Sequence, residues 1–193
     1  MNDLSVYFVW AAASYLIGSI PAGDLVSRRS GKNIRDLGTG NPGTANITRE
    51  IGRKHGITVL ILDVIKGSIV CIPTYWLDLP TYSALIPVFF VLFGHFFPIF
   101  WRFKGGTGMA VAMGTTLALI PVASLIAALF AILFIRFYRN APYTGIVCFF
   151  VTAVGGWLIY KDLPNINIIL IVATAVLIKS FFQYGLNPFA NET

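Results

Sequence analysis

Charge is scarce in this chain of 193 residues: 11% of them are charged, eight acidic against fourteen basic. A soluble domain carries about a quarter charged residues, so a water-exposed globular surface is excluded. Histidine and cysteine occur only twice each. Cys71 and Cys148 sit inside apolar runs without metal-type spacing; they read as small buried hydrophobes, with no disulfide. The chain has no Gly-x-Ser-x-Gly elbow, no His-x-x-x-x-Asp pair, no His/Cys cluster and no Walker-type loop. Those absences remove the usual signatures of serine-nucleophile, histidine–aspartate, metal-assisted and nucleotide-hydrolysing chemistry, and imply neither metal nor cofactor. No repeat, coiled coil or low-complexity tract is present, and the lack of an inverted repeat disfavours a small transporter.

What the chain does have is apolar length: 56% of its residues are hydrophobic. Leu4 to Pro21 is long enough to cross a bilayer. Its first basic neighbour, Arg28, comes after it rather than before, so it reads as a retained helix and not a signal peptide. Asp24 to His55 is polar and rich in cations: Arg28, Arg29, Lys32, Arg35, Arg49, Arg53 and Lys54. That excess belongs in the cytoplasm and leaves the N-terminus outside. Further spans are predicted over Ile57–Leu77, Tyr82–Trp101, Ala141–Tyr160 and Ile166–Phe182. Met109–Phe137 is too long for one ordinary crossing. A turn near Pro121 divides it in two and keeps Arg136 and Arg139 inside.

The expectation is an all-α, seven-helix integral membrane bundle, fourth helix short, C-terminus cytoplasmic, forming one domain over 1–193. Asp78 and Lys161-Asp162 fall in outer loops, and Trp10, Trp76, Trp101 and Tyr160 near span ends, as interfacial aromatics do. The net charge of +6 suits anionic lipid rather than nucleic acid, because the cations border apolar spans.

Two glycine-rich segments stand out on the cytoplasmic side. One is Leu37-Gly38-Thr39-Gly40-Asn41-Pro42-Gly43-Thr44-Ala45-Asn46, followed by Arg49; the other is Phe103-Lys104-Gly105-Gly106-Thr107-Gly108, approached through Gly94-His95-Phe96-Phe97-Pro98. Glycines let backbone N–H groups converge on an anion, and arginine or lysine beside them adds charge suited to phosphate. Arg35, Arg49, Lys66, Lys104 and Arg102 can converge near the inner interface. Asp63 and Lys66, three apart in the second span, share a helix face and can pair either as a structural ion pair or as part of a site. His95 could donate to substrate, act as a base, or hold its loop; His55 reads as a solvated side chain. Asn41 and Asn46 could bind oxygens or cap turns. Without an activated nucleophile, such a site suits an acyl donor with a good leaving group, such as an acyl phosphate, and works by positioning and charge stabilisation.

These segments resemble the bacterial membrane family of the PlsY type, which acylates glycerol 3-phosphate from acyl phosphate. The family's Gly-Ser-Gly-Asn-x-Gly-Ala-x-Asn loop with a following arginine is matched by Gly38 to Asn46 and Arg49. Its Gly-His-x-x-Pro and Phe-Lys-Gly-Gly-Lys-Gly motifs are matched by Gly94-His95…Pro98 and Phe103 to Gly108. Gly18-Ser19-Ile20-Pro21-Ala22-Gly23 and Leu62-Asp63…Lys66-Gly67 are similar too. The resemblance covers about residues 16–115. Three departures stand out. Thr39 replaces a serine, Thr107 replaces a lysine, and Lys179 to Pro188 lacks a His-Arg-x-Asn motif, with Gln183 or Asn187 as the only amides near it.

The resemblance implies a multi-pass protein of the bacterial inner membrane with a cytoplasm-facing site, making 1-acylglycerol 3-phosphate for phospholipid synthesis. It implies His95, Lys104 and Arg49 in catalysis. Thr39, Gly40, Asn41, Asn46, Lys66, Gly105, Gly106, Thr107 and Gly108 would bind substrate phosphate. The partners implied are acyl phosphate, glycerol 3-phosphate and membrane lipids, with a monomeric protein. The departures leave a competing expectation: a non-catalytic or altered-substrate relative that binds phosphorylated lipid precursors.

Overall fold

The computed structural model describes residues 3–77, 80–138, 141–161 and 163–184, and every regular element among them is helical. The positions read above as Asp78, Arg139, Asp162 and Gly185 to Pro188 lie outside the described residues. The α-helices are α1 (Asp3–Gly18), α2 (Ala22–Arg29), α3 (Thr44–Glu50), α4 (Arg53–Ile69), α5 (Ile72–Trp76), α6 (Leu85–Phe96), α7 (Met109–Leu119), α8 (Pro121–Tyr138), α9 (Ala141–Tyr160) and α10 (Leu163–Tyr184).

Among the described residues, five helical stretches are long and apolar enough to cross a membrane: Leu4–Arg29, Arg53–Trp76, Thr81–Trp101, Tyr143–Tyr160 and Leu163–Gln183. Two shorter apolar helices, Met109–Leu119 and Pro121–Phe137, divide the long run at Pro121 as its length and proline predict. Proline cannot continue the hydrogen-bond ladder of α7, so α7 stops at Leu119 and rises roughly 16 Å, about half a bilayer's hydrocarbon core. Large apolar side chains face outward, among them Phe89, Leu129, Phe150 and Phe182. In water that surface would be an aggregation hazard; against lipid tails it is the natural exterior of a multi-pass membrane protein.

The first crossing is not one straight helix. Pro21 interrupts it, and the chain resumes as α2 and carries Arg28 and Arg29 on a helix rather than in a loop. The second crossing breaks between α4 and α5, ahead of Pro73. Thr74 donates its N–H to the Cys71 carbonyl, which leaves the Val70 carbonyl to accept from the Trp10 indole at 2.8 Å. Trp10 is therefore buried, not an interfacial ring as its sequence position suggests.

The main helix pairings are α1 with α6, α4 with α7 and α8 with α9, while α10 packs on α9, α7 and α6. Glycine makes the first of these close: a Cβ at Gly18 would collide with the Val91 carbonyl, and one at Gly94 with the Tyr15 carbonyl. That contact brings the Pro21 break alongside the C-terminal end of α6, where His95 lies. The larger apolar core joins Val70 and Cys71, at the break between α4 and α5, to residues of α6, α7, α8, α9 and α10. A smaller one, Ile34, Ile47 and Val59, lies beneath the first glycine-rich loop.

Candidate functional site

The site begins at a buried lysine. Lys66 and Asp63, one turn apart on α4, are both buried and form an ion pair of 2.8 Å. The Lys66 ammonium also donates to the Ile20 carbonyl at 3.0 Å, an acceptor positioned by the Pro21 break. Its third contact is His95 Nδ1 at 2.9 Å. An ammonium has three N–H groups and no lone pair. Nδ1 must therefore accept, and the neutral ring carries its proton on Nε2. Lys66 thus directs its ammonium to groups within the protein and sets the histidine's tautomer.

The Nε2 edge of His95 faces the second glycine-rich loop. Gly105 donates its N–H to the Phe96 carbonyl at 3.2 Å, which folds the loop back on the end of α6. At Gly106 an added Cβ would stand 2.9 Å from His95 Nε2 and 3.2 Å from Asn41 Oδ1. A glycine here is the condition for His95, Asn41 and the loop backbone to meet at one point. The turn leading in is strained: Arg102 and Phe103 both have left-handed φ, 53° and 59°, which non-glycine residues adopt at a cost.

What holds that turn is Arg35. Its guanidinium clasps buried Asp24 through Nε–Oδ1 at 2.7 Å and Nη2–Oδ2 at 2.8 Å, and Nη2 also donates to the Lys104 carbonyl at 2.7 Å. A bidentate fork of this kind fixes both angle and distance. The Lys104 side chain itself is exposed.

The first loop is built around Asn46. Its amide donates to the Leu37 and Asn41 carbonyls, both at 3.0 Å, and its oxygen accepts from the Thr39 N–H at 3.2 Å. The Thr39 hydroxyl accepts the Asn41 N–H at 3.4 Å. Asn41 is buried between the loops, and Gly40 is in the left-handed region. A crevice of about 10 Å³ runs between the two loops, lined by Ile20, Pro21, Asp24, Arg35, His95 and Gly106.

Of the residues singled out by sequence, Asn41, Lys66, His95, Gly105, Gly106 and Gly108 gather at this point. A Cβ at Gly108 would press on the rings of Phe96 and His95. Thr39 and Gly40 are half-buried in the first loop, and Thr107 is half-buried in the second. Arg49 is exposed on α3, one turn beyond Asn46. Among the described residues no group of three metal-ligating side chains occurs.

A sequence model for glycerol-3-phosphate acyltransferases matches residues 8–184. The chain belongs to the glycerol-3-phosphate acyltransferase family. Glycerol-3-phosphate acyltransferase 4 of Dehalococcoides mccartyi is 38% identical over 138 residues, covering 71% of this chain. The chain spans 60% of that relative's length. The glycerol-3-phosphate acyltransferase of Aquifex aeolicus is 32% identical over 178 residues, covering 80% of this chain and 90% of the relative. The fold is that of the crystal structure of PlsY (YgiH), an integral membrane glycerol 3-phosphate acyltransferase in its glycerol 3-phosphate form. The two superpose with a TM-score of 0.87 at 23% identity over 97% of this chain and 94% of that one.

In this acyltransferase-family chain, sequence reading missed two groups that the fold brings to the site. Asp24 was one charge among many in a basic segment, and its only local signal was a position just after the Pro21 break. Lys179 lies in the region that departs from the family pattern. It stands over the Phe97 ring, with its ammonium 4.8 Å from the centroid.

Proposed function

We propose that this protein transfers an acyl group from acyl phosphate to glycerol 3-phosphate, giving 1-acylglycerol 3-phosphate. The observation that carries the reading is the orientation of His95: Lys66 holds Nδ1, so Nε2–H is the edge turned toward Gly106. A neutral N–H donor fixed beside a glycine-rich backbone suits the oxyanion that develops when a hydroxyl attacks an acyl carbonyl. In the reaction, the glycerol 3-phosphate hydroxyl oxygen bonds to the acyl carbon and the bond from that carbon to the phosphate oxygen breaks. The hydroxyl proton leaves on the departing phosphate, so atoms and charge balance without a metal or a covalent enzyme intermediate.

Within this reading His95 is catalytic. Lys66 is a positioning residue, and so is Asn46, because their donors and acceptors are engaged inside the protein. Lys104 and Arg49 present exposed side chains that draw in and hold phosphate. Thr39, Gly40, Asn41, Gly105, Gly106, Thr107 and Gly108 form the two walls that receive the substrates. The whole of 1–193 acts as one domain and a monomer, crosses the bacterial inner membrane seven times with N-terminus outside and C-terminus inside, and turns the site to the cytoplasm. Support for that orientation comes from the concentration of cations between Arg28 and Lys54.

The deciding experiment is acyl transfer by the purified protein in lipid, with palmitoyl phosphate and labelled glycerol 3-phosphate. Turnover that His95→Ala, Lys104→Ala and Arg49→Ala each depress supports the reading. A well-folded protein that turns over none of several donors and acceptors rejects it.

A further inference from the structure

We propose that Lys179 is the residue that holds the phosphate of the acyl donor, at the mouth of an apolar groove between α6 and α10 that holds the donor's chain. The proposal rests on the acyl-transfer reading for the donor's identity, but the placement of Lys179 has its own support. Leu85, Phe89, Phe93 and Phe96 on α6 and Ile171 and Ala175 on α10 line a groove of about 340 Å³. From Leu85 to Phe96 the helix rises roughly 16 Å, the depth of about one leaflet, which suits a single acyl chain lying along it.

Ile171, Ala175 and Lys179 are spaced four apart, so they share one face of α10. The face that lines the groove with Ile171 and Ala175 therefore continues into Lys179. Phe96 makes the junction: it closes the groove, and the Lys179 ammonium stands 6.0 Å from its ring centroid and 4.8 Å from that of Phe97. The same stretch of chain carries His95.

Among the described residues Lys179 has no carboxylate partner, and its contacts are two aromatic faces. A half-buried cation at the end of a membrane helix without a counter-ion is costly. Aromatic faces hold such a charge in place without neutralising it. It is therefore left available to an anion that arrives from the groove. A chain in the groove with its phosphate on Lys179 sets the acyl carbonyl of the donor at the end of α6 that carries His95. Lys179 is then a substrate-binding residue for the donor and takes no part in binding the acceptor.

The test uses the full chain in lipid, comparing wild type, Lys179→Met and Lys179→Arg. The expected result is a rise of about tenfold or more in KM for palmitoyl phosphate in Lys179→Met, the scale of one lost charge-assisted contact, with KM for glycerol 3-phosphate and the melting temperature unchanged. Lys179→Arg retains most of the wild-type value. A second measurement needs no turnover: dodecyl phosphate, but not dodecanol, raises the melting temperature of wild type, and this protection is lost in Lys179→Met.

Wild-type KM and protection in Lys179→Met overturn the proposal, as does an absence of protection in wild type. Equal damage to both substrates with a lowered melting temperature assigns Lys179 a structural role and also overturns it. Donor and product share a chain and a phosphate, so inhibition by 1-palmitoylglycerol 3-phosphate is measured alongside. A larger effect on that inhibition than on donor KM moves the residue to the product and overturns the donor assignment. Lys179-dependent protection in a protein without acyl transfer would sink the proposed function and leave the phosphate site standing. Acyl transfer indifferent to Lys179 would do the reverse.

Discussion

Lys66 Nζ lies 2.9 Å from His95 Nδ1, although the two residues are 29 positions apart and on different helices. With Asp63 and the Ile20 carbonyl as its other partners, the ammonium is held inside the protein, and the histidine it touches becomes a one-sided donor. A general base would need the opposite arrangement, with an acceptor at the edge facing the loops.

The first prediction follows from that one-sidedness. His95→Ala should lower kcat by about 10²-fold, the scale of one lost oxyanion donor. Lys66→Met should approach the same loss, because an unheld ring can turn or change tautomer. The double variant should be no worse than His95→Ala alone, since both changes remove one device. Additive losses, measured as kcat in lipid, would mean that Lys66 acts on substrate independently of His95.

Asp24 should prove structural. Its carboxylate is 1% exposed and takes both arms of Arg35, which in turn grips the strained turn before Gly105. Asp24→Ala leaves the Arg35 guanidinium without its partner in a largely buried place, a change that costs roughly 3–5 kcal/mol when a buried pair is broken. A fall in melting temperature of the purified protein checks this. Wild-type stability in Asp24→Ala would show that the fork contributes nothing to holding the loop.

Much of this fold was legible in the sequence, and the reasons can be named. Hydropathy located the five long apolar helical stretches, proline at 121 located the break between α7 and α8, and the spacing of Asp63 and Lys66 placed them on one face. The partners of Lys66 were not legible. Membrane helices are apolar on most sides, so they lack the amphipathic stripe that tells which face turns inward. The Ile20 carbonyl and His95 Nδ1 meet Lys66 only because α1 and α6 approach through Gly18 and Gly94 and because Pro21 opens the first crossing. Trp10 misled for the same reason: an indole about two turns into a helix reads as interfacial until the kink at Val70 supplies its acceptor. Within the first loop, Asn46 looked like a ligand for phosphate, and its three backbone contacts depend on a turn geometry that residue types alone do not encode.

Asn46 therefore supplies a clean isosteric test. Asn46→Asp keeps the shape but removes the two N–H groups that reach the Leu37 and Asn41 carbonyls. Each such bond contributes about 1 kcal/mol net, and a buried acceptor left without its donor costs more. Asn46→Asp should thus be destabilised by about 2 kcal/mol or more, at least as much as Asn46→Ala. Chemical unfolding in detergent reads the difference. An Asn46→Asp protein as stable as wild type would remove the loop-building role and return the side chain to direct substrate contact.

Gly106 separates the geometry of the site from the stability of the fold. Its φ is not in the left-handed region, so alanine is acceptable to the backbone there. The obstacle is the new methyl group, which would stand 2.9 Å from His95 Nε2 and 3.2 Å from Asn41 Oδ1. The first distance is below any ordinary van der Waals contact, so the ring must shift by a few tenths of an ångström, and the space in front of Nε2–H is filled. Misplacement of a reacting group by about 1 Å costs on the order of 10²-fold in rate, and blocking the donor edge adds to that. Gly106→Ala should therefore lose about 10²-fold or more in kcat/KM while its melting temperature stays near that of wild type. Equal loss of activity and stability would instead mean that Gly106 serves the packing of the loop. Retention of activity would mean that the reacting atoms do not pass between His95 and Asn41, and the orientation of His95 would then no longer support acyl transfer at this point.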